Sequence, residues 1–111
     1  MSQQLDPPFA SAEAAWFWTV AALRNGSAAR RAACRPEDIV KALDRLYRHR
    51  RIELQHARIL RIWGERGIPP NPARPRERCD WRLWREAMEC LEGPLRAHGI
   101  VAGLCLPEAA D

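Results

Sequence analysis

Residues Ala12 to Leu23 read Ala-Glu-Ala-Ala-Trp-Phe-Trp-Thr-Val-Ala-Ala-Leu, and almost nothing in the run is polar. Ser11 offers a helix cap before it, and Asn25-Gly26 a stop after it. On a helical wheel Trp16, Val20 and Leu23 form one stripe, while Ala14, Trp18, Ala21 and Ala22 form another on roughly the opposite side. A helix that is apolar on both sides has to be covered twice, either at the centre of its own fold or by a second copy of the chain. The expectation is a first helix at the middle of a bundle, with a homodimer through that helix as the assembly.

The rest of the chain supplies the cover. Pro36 suits the first turn of a second helix, with Glu37 and Asp38 at the positive end of its dipole. Along it Ile39, Val40, Leu43, Leu46 and Tyr47 share one face, and Lys41, Arg45 and Arg48 the other. Continued past His49, the same wheel puts Arg50 on the apolar stripe, so a kink or tight turn is expected over residues 49–51. A third helix then runs from Ile52 to about Trp63, with Gly64 and Gly67 as stops. Four prolines between Ile68 and Pro75 exclude helix interior and predict a stiff connection. Asp80 reads as the cap of a fourth helix, whose apolar face is Leu83, Trp84, Ala87, Met88 and Leu91, and Gly93-Pro94 reads as its end. Beyond it Ile100, Val101, Leu104 and Leu106 either dock on the core or fray. The short stretch Ser27–Arg35 fits a loop or an exposed helical turn.

Together these features predict an all-α fold, a compact bundle of about four main helices with a Pro-rich internal connection. With 111 residues, 47% of them hydrophobic, the chain has enough apolar surface for one core and too little for two. Residues 1–10, with Pro7 and Pro8, read as a flexible lead-in, and 11–111 as the helical domain. The longest apolar stretch, from Ala14, falls well short of the ~20 residues of a membrane span. No positive charge precedes it, so it does not read as a secretory signal, and a cytoplasmic location without membrane contact follows. In that compartment Cys34, Cys79, Cys90 and Cys105 are expected as thiols.

The segments Leu43–Arg48, His56–Gly67 and Leu83–Met88 carry a resemblance. Over about residues 12–102 the chain is similar to short helical proteins of GC-rich proteobacteria, a group to which no activity is assigned. The resemblance implies a bacterial source and transfers no functional residue.

Charge is the most informative feature for function. Residues 24–85 hold 17 of the 18 basic residues against seven acids, a balance of +10 within a chain whose total is +4. One reading is a phosphate-facing surface made of Lys41, Arg45 and Arg48 on the second helix, Arg50 and Arg51 at the bend, and Arg58 and Arg61 on the third helix. Arginine suits bidentate contacts to phosphate and to guanine edges, and two helices joined by a short bend suggest a helix-turn-helix, although the bend has no glycine. The competing reading is a solvated face, in which 17 Arg against one Lys reflect GC-rich coding.

Other constellations are thinner. Glu53 and His56 match one Glu-x-x-His element of a di-metal bundle, and His49 lies four residues earlier. The second such element is missing from this chain, so only a homodimer would supply it. The competing reading is a core His56 bonded to backbone, with Glu53 pairing an arginine. Cys79 at a helix start, with His98 or His56 as its base, is a nominal nucleophile. No phosphate loop, dinucleotide fingerprint or Gly-x-Ser-x-Gly occurs, and no cofactor or catalytic residue is expected. Trp16, Trp63 and Trp84 read as core, whereas Trp18 and Trp81 fall off the stripes and become candidate contacts to a protein partner. The functional expectation is a small binding protein, nucleic-acid-associated or regulatory. The alternative is an adaptor using Trp18, Trp81 and the prolines, and a metal-binding bundle stands third.

Overall fold

The computed structural model describes residues 8–25 and 35–102. Four α-helices account for most of them: α1 Ala12–Arg24, α2 Pro36–Arg48, α3 Leu54–Arg66 and α4 Arg78–Ala97, with a 3-10 turn at Pro75–Glu77 before α4. The chain is therefore the all-α bundle with a proline-containing connection that its apolar periodicity predicts. Among the described residues no helix is long and apolar enough to cross a membrane.

Each helix packs where its apolar stripe leads it. α1 lies against α2, α3 and α4, and α4 likewise lies against the other three. α2 and α3 each pack on α1 and on α4 but scarcely on one another. The order around the bundle is thus α1, α2, α4, α3, with α1 and α4 meeting across the middle. Ile39 of α2, Leu60 of α3, and Leu91 and Leu95 of α4 are completely buried in this core. Each such side chain contributes about 1.5–3 kcal/mol relative to exposure.

The start of α1 follows its cap, since the Ser11 hydroxyl accepts the Ala14 N–H at 3.1 Å. Ala12, Ala15, Trp16, Thr19, Val20 and Ala22 are buried along α1, and the Thr19 hydroxyl donates to the Ala15 carbonyl at 2.8 Å. Ala14, Ala21 and Leu23 are the apolar residues that α1 leaves exposed. At 100° per residue Ala14 and Ala21 share one side of the helix and Leu23 the other, so they form no continuous apolar face.

The three buried tryptophans are each satisfied at the polar end, which a buried indole N–H requires. Trp16 Nε1 donates to the Leu60 carbonyl at 2.8 Å, Trp63 Nε1 to Asp80 Oδ2 at 3.0 Å, and Trp84 Nε1 to Glu13 Oε1 at 2.9 Å. These bonds tie α1 to α3, α3 to α4, and α4 back to α1.

Several boundaries differ from the sequence expectation, each for a local reason. Gly64 does not stop α3. It is buried in the helix where α1 crosses, and a Cβ there would lie 2.8 Å from Trp16 Nε1 and 2.9 Å from Val20 Cγ2. The stop is Gly67, in the left-handed region with φ 78°. α3 begins at Leu54, not Ile52, because His56 Nδ1 accepts the Glu53 N–H at 2.9 Å and fixes Glu53 as the cap. Ile52 stays in the preceding turn, buried. Asp80 is not a cap either. It sits inside the first turn of α4, and its carboxylate is taken by Trp63.

Pro94 lies within α4 and does not end it. A proline disfavours helical backbone in the residue before it largely through that residue's Cβ, and here the residue is Gly93. The helix continues one more turn to Ala97. At the connection, the Asn71 side chain accepts the Ala73 N–H at 2.9 Å and the Asn71 N–H donates to Glu77 at 2.7 Å, so the proline segment is pinned at both ends of its turn.

Phe9 falls within the lead-in assigned to residues 1–10. Phe9 is buried and bridges to the chain after α4: its N–H donates to the Ile100 carbonyl at 2.9 Å, and its carbonyl accepts the Ala102 N–H at 2.8 Å. Ile100 and Val101 do dock on the core. Leu104 and Leu106, residues 1–7, the stretch around Cys34, and Cys105 lie outside the described residues.

Candidate functional site

The bend between α2 and α3 organises the charged surface. α2 ends in a Schellman motif: the Arg50 N–H donates to the Tyr47 carbonyl at 3.0 Å and the Arg51 N–H to the Leu46 carbonyl at 2.8 Å. α4 ends in the same way, through Gly99 and Ile100 onto Arg96 and Leu95. In α4 the left-handed position is glycine. In α2 it is Arg50, with φ 61°, in a conformation that costs an L side chain about 1–2 kcal/mol. The tight turn expected over residues 49–51 is present, and an arginine occupies its most strained position.

This turn divides the arginines. On one flank of α2 a concavity of about 470 Å³ lies against the end of α4; Lys41, Arg45 and Arg51 line it, with His49 and His98 at its edge and Leu46, Pro94 and Ile100 among its apolar walls. Lys41, Arg45 and Arg51 have no ion-pair partner among the described residues. Asp38 also lines the concavity, but its carboxylate accepts the Arg35 N–H at 2.8 Å. The C-termini of α2 and α4, worth about half a negative charge each, offset part of the remaining charge. Three cations exceed these terms, and the concavity stays positive.

A second concavity, of about 480 Å³, is lined by Tyr47, Arg48, Arg50, Ile52, Glu53 and Leu54. Arg48 pairs with Asp44 at 2.9 Å on the exposed surface, whereas Arg50 has no ion-pair partner among the described residues. Consecutive residues of the bend thus enter different concavities, Arg51 the first and Arg50 the second. Arg58 and Arg61, assigned to the same surface from sequence, are exposed on α3 and line neither. Because α2 and α3 scarcely touch, they do not form the packed pair of a helix-turn-helix.

The glutamates of α4 are engaged with basic side chains. On α4, Glu89 and Glu92 pair with Arg85 and Arg96 at 2.9 and 3.3 Å, and Glu86 accepts from His56 Nε2 at 2.8 Å. His56 is 8% exposed, and its other nitrogen accepts the Glu53 N–H, so both ring nitrogens are committed. Glu53 does not meet an arginine; its carboxylate accepts from Gln55 at 3.1 Å. Among the described residues no group of three or more His, Cys, Asp or Glu is placed to hold a metal ion. Cys79 and His98 lie at opposite ends of α4, about 28 Å apart at 1.5 Å per residue, and both ring nitrogens of His56 are engaged, so neither histidine assigned to Cys79 as a base is free beside it.

Of the two tryptophans assigned to a partner, Trp18 packs on Phe9 of its own chain, ring centroids 5.3 Å apart. Trp81 is half-buried under the Arg85 guanidinium, 5.3 Å from its ring. It lines a groove with Pro69, Pro70, Pro72 and Met88 along α4.

Sequence reasoning missed the exposure of Tyr47, which it placed on the apolar face of α2. The stripe centres on Ile39, Leu43 and Leu46. Val40 and Tyr47 stand about 80–100° from that centre on a helical wheel and are 37% and 48% exposed. The apposition of His98 to α2 left no sequence signal, because packing of α4 across the bundle creates it.

Comparison with protein-family models, with curated proteins and with solved structures finds no match to this chain.

Proposed function

We propose that this protein binds nucleic acid, holding phosphates with Lys41, Arg45 and Arg51 at the concavity between α2 and α4 and with Arg50 at the bend. The observation that carries the reading is the convergence on one concavity of three cations without an ion-pair partner among the described residues, while Arg85 and Arg96 of α4 pair with Glu89 and Glu92. The occupation of a left-handed position by Arg50 supports it, since glycine would be the cheaper residue there and would bring no charge. The interface is smaller than the seven residues read from sequence, and Arg58 and Arg61 are outside it.

The test is fluorescence anisotropy with mixed-sequence duplex and single-stranded oligonucleotides at 50 and 200 mM salt. Four phosphate contacts predict a drop in affinity of about 50- to 150-fold over that range. Arg45→Glu with Arg51→Glu is expected to abolish most of the salt dependence. Binding that ignores salt, or that both reversals leave intact, removes the reading.

A second reading, docking of a protein along α4, is favoured by one observation: Trp81 and three prolines line the same groove. It predicts that Trp81→Ala disturbs a protein contact and leaves nucleic-acid affinity unchanged.

A further inference from the structure

We infer that the nucleic acid taken at this surface is single-stranded, with Tyr47 as the platform on which a base stacks. This deepens the preceding reading and rests on it. Single strands are held by cations that follow the backbone and by aromatic faces open to the bases. The first requirement is met at the bend, and the question is whether any aromatic face is open beside it.

Most of the aromatic side chains are not. Trp16, Trp63, Trp84 and Phe9 are buried, Phe17 stacks on Trp84, Trp18 lies against Phe9, and Trp81 is covered by Arg85 in the α4 groove. Tyr47 is the exception. It is 48% exposed, and no ring or guanidinium of the described residues lies over it. It stands in the last turn of α2, next to Arg48 and three residues from Arg50.

The concavity around Tyr47 can take a base beside a phosphate. Leu54, 62% exposed, gives it an apolar wall next to the ring, and of its two arginines Arg48 pairs with Asp44 while Arg50 has no ion-pair partner among the described residues. One phosphate is taken by Arg50 and others, across the end of α2, by Arg51 and Arg45 in the neighbouring concavity. A strand draped over the bend therefore meets cations on both sides of the base that Tyr47 receives. A duplex cannot use this arrangement without turning a base out of its stack, which costs a few kcal/mol.

The experiment compares a labelled oligothymidylate with a hairpin duplex of equal phosphate number, using wild type, Tyr47→Ala, Tyr47→Phe and Arg45→Glu. The wild type is expected to prefer the single strand. Tyr47→Ala should weaken that binding about 5- to 150-fold and change duplex affinity less than twofold, while Tyr47→Phe retains the preference. Arg45→Glu should weaken both. Urea midpoints of the four proteins establish that each is folded. If Tyr47→Ala equals wild type on the single strand while Arg45→Glu still weakens it, the stacking inference is wrong and the nucleic-acid reading stands. If Arg45→Glu changes neither, or the wild type binds neither, both are wrong.

Discussion

The indole nitrogen of Trp16 donates to the main-chain carbonyl of Leu60 at 2.8 Å, a side chain of α1 reaching the backbone of α3 in the middle of a helix. Such an approach requires that α3 present no side chain at the crossing, and Gly64, one turn after Leu60, meets that requirement.

Gly64→Ala is therefore expected to destabilise the protein. Alanine favours a helix interior over glycine by about 1 kcal/mol. Here its Cβ would lie 2.8 and 2.9 Å from Trp16 and Val20, and overpacking of this kind costs about 1–3 kcal/mol. Urea denaturation measures the balance, and a variant more stable than wild type would show that α1 and α3 can separate without loss.

Arg50→Gly should act in the opposite direction on stability. Relief of the left-handed conformation is expected to add about 1 kcal/mol, seen as a higher urea midpoint at unchanged m-value. The same variant should bind oligonucleotides more weakly. A gain in stability with full retention of affinity would remove Arg50 from the interface.

Asp80 and Trp63 can be separated by a double-mutant cycle. Asp80→Ala alone leaves a largely buried indole N–H without its acceptor and is expected to cost about 1–2 kcal/mol. In a Trp63→Phe background, which has no donor, the same change should cost far less. Equal costs in both backgrounds would mean that Asp80 acts only as an acid near the start of α4.

The two partners of His56 are unequal. His56→Ala removes the acceptor for the Glu53 N–H together with a buried side chain, and about 2–3 kcal/mol is the expected loss. Glu86→Ala should cost under about 1 kcal/mol, because the Glu86 side chain is 51% exposed and the contact is screened. The reverse order in thermal or urea unfolding would show that capping is not the main role of His56.

What was legible in the sequence was local. Ser11 and Pro36 mark the starts of α1 and α2 because a cap and a first-turn proline act within one turn of chain. The phase break after His49 shows as a turn because periodicity alone reveals it. The starts of α3 and α4 and the interior positions of Gly64 and Pro94 were misread because each depends on a second group: a histidine three residues on, an indole from α3, a crossing helix, a missing Cβ. The same limit applies to the candidate site. Lys41 and Arg45 are on one side of α2 by spacing, but the loss of Arg58 and Arg61 from their company follows from α3 packing across the bundle from α2.

The packing of α1 against all three later helices also sets an order of events during synthesis. α1 is complete at Arg24, whereas α4, which with α2 and α3 must cover it, ends at Ala97. At about 5–20 residues per second, the most apolar helix of the chain waits for several seconds with Trp16 and Val20 uncovered. Until α4 has emerged the nascent chain is a sticky one, and among the described residues the closing contact between Phe9 and the stretch after α4 is the last that translation allows.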